Sequence, residues 1–189
     1  MKIVAFQRHP GEVFARPLRI DLIADSAVVP CGKPLFLPDF TDEWCAELCV
    51  AFRISRLGKG IARKFSPRYY DAMTLVLKMV PAVMYAGLQD GTFSQGMTGV
   101  FDNCAAMGHW IDLPVDGAPV RIECCDVVLE TNLGALGIDE AVSALSSLAT
   151  LKMGDVVIPC RVPVSFIPAP GKVVSASVGG NNVLDVRVC

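Results

Sequence analysis

The feature that most constrains this chain is the way turns divide it. Short segments rich in Val, Ile and Cys recur at Lys2–Phe6, Ala27–Val29, Cys45–Ile54, Ala118–Val128, Asp155–Pro163, Val173–Val178 and Val183–Val188. Such residues favour pleated, half-buried backbone. Between them stand Cys31-Gly32, Asp90-Gly91, Asp116-Gly117, Pro170-Gly171 and Gly179-Gly180-Asn181-Asn182, dipeptides and clusters that supply the dihedral angles of turns. Helical pattern is confined to Ser66–Met79, where Pro67 suits a first turn, and to Ile138–Ala149, where Asp139 and Glu140 lie near the positive end of the helix dipole. The expected fold is mainly β with few helices, of the α+β class.

At 189 residues, 52% of them hydrophobic, the chain has material for one domain around a sizeable core. Its net charge of −2, with Lys and Arg scattered, lacks the basic face that nucleic acid or an anionic membrane requires. The longest apolar stretch, Ala72–Leu88, is broken by Lys78 and Pro81, which argues against a membrane-spanning helix. Arg8 precedes any apolar region long enough for a signal peptide, so a cytoplasmic location is expected. The cysteines at 31, 45, 49, 104, 124, 125, 160 and 189 lie mostly within apolar runs and form no Cys-x-x-Cys pair, as expected of reduced thiols packed as small hydrophobes.

The run Phe52-Arg-Ile-Ser-Arg-Leu-Gly-Lys-Gly-Ile61, followed by Phe65-Ser-Pro-Arg-Tyr-Tyr-Asp-Ala-Met-Thr74, resembles the fumarylacetoacetate hydrolase (FAH) superfamily. The similarity is to its short bacterial members of the 2-hydroxyhepta-2,4-diene-1,7-dioate isomerase type. Gly32–Phe40, Phe101–Gly108, Leu151-Lys-Met-Gly-Asp155 and Val183-Leu-Asp-Val-Arg-Val188 follow in the family's order. The resemblance implies a roll of mixed β-sheet, one FAH-like domain over 1–189, with 1–24 a shortened segment bearing the remnant of a lid and 25–189 the core. It also implies a homodimer, a small keto-acid substrate such as an acylpyruvate, and Mg²⁺ or Mn²⁺ held by a Glu-x-Glu pair and an aspartate.

Residue by residue, the chemistry does not carry over. The Glu-x-Glu pair falls on Cys45-Ala46-Glu47, so Glu47 is the only retained ligand position, and the aspartate falls on Lys78. Residues two apart on a strand share a face and can reach one ion. A thiol and an ammonium, however, are unsuited to a hard cation. The family's two lysines fall on Ile23, beside Ala24, and on Gly99, and its Thr-Gly-Thr-Pro loop falls on Pro159-Cys160-Arg161-Val162. The His-x-x-Glu spacing of the lid dyad recurs as His9-Pro10-Gly11-Glu12, where Pro and Gly disfavour a helical turn.

The expectation is therefore a non-catalytic FAH relative without a cofactor, with Lys78 taking the metal's place and pairing with Glu47. The rival is an active hydrolase, isomerase or decarboxylase on small keto acids, either metal-dependent or using Lys78 with Glu47, His9 and Glu12. A further rival is a subunit that stabilises a related, active chain. Two weaker constellations are a soft Zn²⁺ site from Cys45, Glu47, Cys49 and His109, and a Cys104–His109 nucleophile pair. The basic run Arg53, Arg56, Lys59, Arg63, Lys64 and Arg68 reads as a solvated connection rather than an anion site, since no glycine-rich phosphate loop accompanies it.

Overall fold

The computed structural model describes every residue except 15–17, 92–94 and 116. In chain order the strands and helices are β1 (Ile3–Phe6), β2 (Ile20–Ile23), β3 (Val28–Val29), β4 (Trp44–Ile54), β5 (Tyr70–Pro81), α1 (Ala82–Asp90), β6 (Ala105–Met107), β7 (Ile111–Asp112), β8 (Val120–Cys124), β9 (Val127–Thr131), α2 (Leu133–Leu136), α3 (Ile138–Leu148), β10 (Val156–Phe166), β11 (Val173–Val178) and β12 (Asn181–Arg187). Among the described residues the strands form an eight-stranded sheet, ordered β2-β1-β10-β4-β5-β6-β3 with β7 beside β5, and a four-stranded sheet, ordered β12-β11-β8-β9. The larger sheet is mixed: β1 runs parallel to β10 and β3 to β6, the other pairs antiparallel. The mainly-β expectation holds.

The expected helix over Ser66–Met79 does not. A 3-10 turn covers Arg63–Arg68, and Tyr70 then opens a strand that runs to Pro81. This strand lies mid-sheet with β4 on one side and β6 and β7 on the other. Because both of its faces are buried, it shows a continuous apolar run, which looks like a buried helix in sequence. Pro81 ends the strand and precedes α1, which the sequence pattern misses, as it misses the short α2. The expected strand over Ala118–Val128 is two strands, since Cys125-Asp126 turn the chain between β8 and β9. The Gly179–Asn182 turn is reduced to its two glycines, because Asn181 and Asn182 already pair in β12. The Asp116 half of the Asp116-Gly117 turn lies outside the described residues.

The central sheet separates two cores. On one face Leu48, Val50, Phe52, Met73, Leu75 and Leu77 pack with the smaller sheet and with Ile138, Val142 and Leu145 of α3. On the other, Ile3, Ala5, Ile23, Cys49, Ala51, Val76, Ala105, Val156 and Ile158 form a smaller core. Strand alternation carries that second face on to Gln7, just past β1, and to Asp21, Glu47 and Lys78, while the irregular register of β10 adds Arg161, so five strands or their continuations bring polar groups to its end. Asp155 anchors the first of these strands. Its carboxylate accepts from the amides of Lys2 and Lys152, both at 2.8 Å, and meets the Lys2 ammonium at 2.6 Å. Among the described residues no helix is long and apolar enough to cross a membrane, which says nothing of a β-barrel.

Candidate functional site

The ladder between β4 and β5 places Glu47 opposite Lys78 and Cys45 opposite Val80. Two of the three metal-ligand positions implied by the resemblance are thus cross-strand neighbours on one face, as a shared site requires. Their side chains, however, go to other partners. The Lys78 ammonium forms an ion pair with the Asp21 carboxylate of β2, and both side chains are almost fully buried, at 5% and 2% exposed. Asp21 also accepts from Gln7 Nε2 at 2.9 Å and from Thr98 Oγ1 at 3.5 Å. Glu47 accepts instead from Arg161 of β10 at 2.7 Å. The expected Lys78–Glu47 pair is therefore replaced by two pairs, since each carboxylate has a closer cation across the sheet.

Asp21 and Arg161 are the site residues that sequence reasoning missed. Asp21 precedes the Ile23-Ala24 position where a family lysine falls, and Arg161 lies in the expected strand Asp155–Pro163 where the family's Thr-Gly-Thr-Pro loop falls. No local pattern links Glu47 to a residue 114 positions away. The Pro159–Val162 stretch is interior to β10, as the expected strand over Asp155–Pro163 has it, with Cys160 fully buried in the main core. The irregular register between Val157 and Cys160 sets which of these side chains faces the cluster; a bulge re-aims side chains in this way.

The donor set can be compared with the family's metal directly. Among the described residues, Asp21, Glu47, Lys78 and Arg161 contribute two negative and two positive charges, which balance. Three carboxylates around a divalent cation would need that cation for balance; this arrangement does not. Cys45 turns its sulfur to Ser165 Oγ at 2.8 Å. Neighbouring Cys49 and Cys104 are buried, and burial pushes both thiols up to about 12 despite the nearby Lys78 ammonium. The residues present therefore do not fit Mg²⁺ or Mn²⁺, and among the described residues no cluster of three His, Cys, Asp or Glu side chains is arranged for any metal ion. The proposed soft site fails as well, because His109 is exposed while Cys49 is buried.

The positions of the two family lysines are closed as well as altered. Ile23 is buried in the smaller core. Gly99 lies so close to β2 that an added Cβ would stand 1.9 Å from the Leu22 carbonyl oxygen and 3.1 Å from Ile23 Cα. No side chain fits there while β2 keeps its place. The lid spacing forms a tight turn: the Glu12 carboxylate accepts from the His9 backbone amide at 2.8 Å, and the Glu12 amide donates to the His9 carbonyl at 3.2 Å. Arg8 beside it is structural, donating to the Leu136, Pro159 and Glu12 carbonyls at 2.6, 3.2 and 2.7 Å. Cys104 is turned to the Gly99 carbonyl, at 3.5 Å. In the basic run, Arg53 pairs with Asp71 and Arg63 with Glu140, as in a solvated surface.

No protein-family model matches the chain, nor does any curated protein sequence. Solved structures do. A fumarylpyruvate hydrolase from Pseudomonas aeruginosa, solved with Mn²⁺ and pyruvate, superposes at a TM-score of 0.82 with 17% identity, over 100% of this chain and 89% of that one. A 5-carboxymethyl-2-hydroxymuconate delta-isomerase from Mycobacterium smegmatis gives 0.81 at 22% identity, over 99% and 78% of the two chains. A 2-hydroxyhepta-2,4-diene-1,7-dioate isomerase from Mycobacterium marinum gives 0.78 at 20% identity, over 99% and 73%. The chain thus has the fold of FAH-type hydrolases and isomerases along its whole length.

Proposed function

We propose that this protein is a non-catalytic FAH-type chain in which a self-neutralised ion cluster stands where family enzymes hold a divalent cation. One observation carries the reading: Lys78, opposite the retained Glu47, is buried in an ion pair with Asp21. A buried ammonium in the cavity of a cation repels that cation, and an amine with 5% of its side chain exposed cannot be reached by a keto acid. Its role is then binding or structural. The protein acts as a homodimer in a reducing, cytoplasmic setting, to which its eight free cysteines are suited.

The test is metal content and Mg²⁺ or Mn²⁺ titration of the purified protein, together with assays on acylpyruvates and oxaloacetate. Neither stoichiometric metal nor turnover is expected. Turnover that requires Mg²⁺ or Mn²⁺ and disappears in Glu47→Ala would overturn the reading, as would borohydride trapping of a keto acid on Lys78.

A further inference from the structure

The hairpin that joins β8 to β9 carries two adjacent cysteines. Cys124 pairs with Val127 as the last rung of the ladder, which leaves Cys125 and Asp126 as a two-residue loop. Cys125 has φ of 53°, in the left-handed region. Two-residue hairpin loops reserve positive φ for Gly, Asn or Asp, so a side-chain-bearing cysteine there is strained. The same conformation brings the sulfurs together: Cys124 Sγ and Cys125 Sγ are 3.9 Å apart. Cys124 is buried and Cys125 exposed, at one wall of a cavity of ≈ 260 Å³ shared with Ser175, Ser177 and Asn182.

Two chemistries are open to such a pair, and geometry separates them. Adjacent Cα atoms are about 3.8 Å apart, below the roughly 4.4–6.8 Å that a relaxed disulfide spans, so an oxidised pair would be strained and readily reduced. Chelation needs no such closure. Each sulfur bonds to the bridging centre and not to the other, so the pair need not close from the 3.9 Å already present to the roughly 2.05 Å of an S–S bond. Thiolates select soft centres over hard ones.

We infer that Cys124 and Cys125 form a bidentate site for trivalent organoarsenicals, a class of soft, thiophilic ligand. In the capture step the two S–H groups react with R–As=O. Two As–S bonds form, the arsenic–oxygen bond breaks, and the oxygen leaves as water with both thiol protons, with no change of oxidation state. Because the protons depart with that oxygen, no standing thiolate is needed. Cys124 therefore takes part even though burial, with Cys125 beside it, pushes its thiol up to about 12. The second As–S bond is intramolecular, which strengthens capture by roughly 10²–10⁴ over a single thiol.

The probe is phenylarsine oxide added to the reduced full-length protein. The expected result is a one-to-one adduct with loss of water, mapped to the peptide containing Cys124 and Cys125, stable to excess glutathione and released by 2,3-dimercaptopropanol. Cys125→Gly suits the positive φ and is expected to fold at least as well as the parent, yet to bind about 100-fold more weakly or worse. Cys124→Ser gives the same loss. An adduct that maps elsewhere, that glutathione removes, or that survives undiminished in Cys125→Gly overturns the assignment.

Discussion

Replacing Lys78 with methionine keeps the unbranched stem of the side chain, one atom shorter, and removes its charge. The partner carboxylate of Asp21 is 2% exposed and is left in the smaller core without its cation. Breaking a buried ion pair from one side costs about 3–5 kcal/mol, because the remaining charge stays desolvated. Gln7 and Thr98 still donate to Asp21, which places the expected loss at the low end, near 3 kcal/mol. For a chain of this size that corresponds to a fall in Tm of about 6–12 °C. Lys78→Met combined with Asp21→Asn removes both charges and leaves an amide that Gln7 and Thr98 can still bond, so the pair is expected to recover most of the loss. Urea unfolding followed by circular dichroism, run on both single variants and the double, measures the coupling. A single variant within about 1 kcal/mol of the parent, or a double variant no better than the single, would refute the claim that Lys78 and Asp21 neutralise each other.

Glu47→Gln should cost only about 1 kcal/mol, less at high salt, because the Glu47 and Arg161 side chains are 17% and 31% exposed; comparing denaturation midpoints at low and high salt checks it. Gly99→Ala should lower stability by about 1–3 kcal/mol or more, since the added Cβ meets backbone at Leu22 that no rotamer change can clear; a melt within a degree of the parent would contradict it. Burial raises the Asp155 carboxyl, but the Lys2 ammonium and the Lys152 and Lys2 amides outweigh it and hold the group below its ordinary 3.8. Its stabilisation is therefore present above pH ~4 and lost as pH falls through the depressed value. Asp155→Asn should cost about 1.5–3 kcal/mol at neutral pH and flatten the acid limb of the stability profile, as urea midpoints across pH will report.

The sequence revealed strands wherever β-branched residues met a glycine turn: β11 at Val173–Val178 matches its segment residue for residue, and α3 begins at Ile138 as its acidic first turn implies. It failed where the local signal was ambiguous. The continuous apolar run of β5 carries no period that separates a doubly buried strand from a buried helix. The break at Cys125 hides because cysteine is a strand former and here occupies a turn position held by positive φ. At the site, the resemblance located Glu47, Cys45 and Lys78, since those positions follow from motif order. Their partners could not be found that way, because Asp21 and Arg161 reach the cluster through sheet order and an irregular register, not through spacing.

The contact of Gly99 with the Leu22 carbonyl also couples two departures from the family pattern mechanically. Leu22 adjoins Asp21, so any side chain at position 99 must shift the strand that delivers the carboxylate to Lys78. Changes toward a site like that of FAH-type enzymes are therefore not independent, and their order matters. A lysine installed at 99 disturbs the Asp21–Lys78 pair before an acidic residue at 78 could take its place. An engineer introducing metal chemistry into this fold would have to start with the backbone path of β2, and only then change side chains.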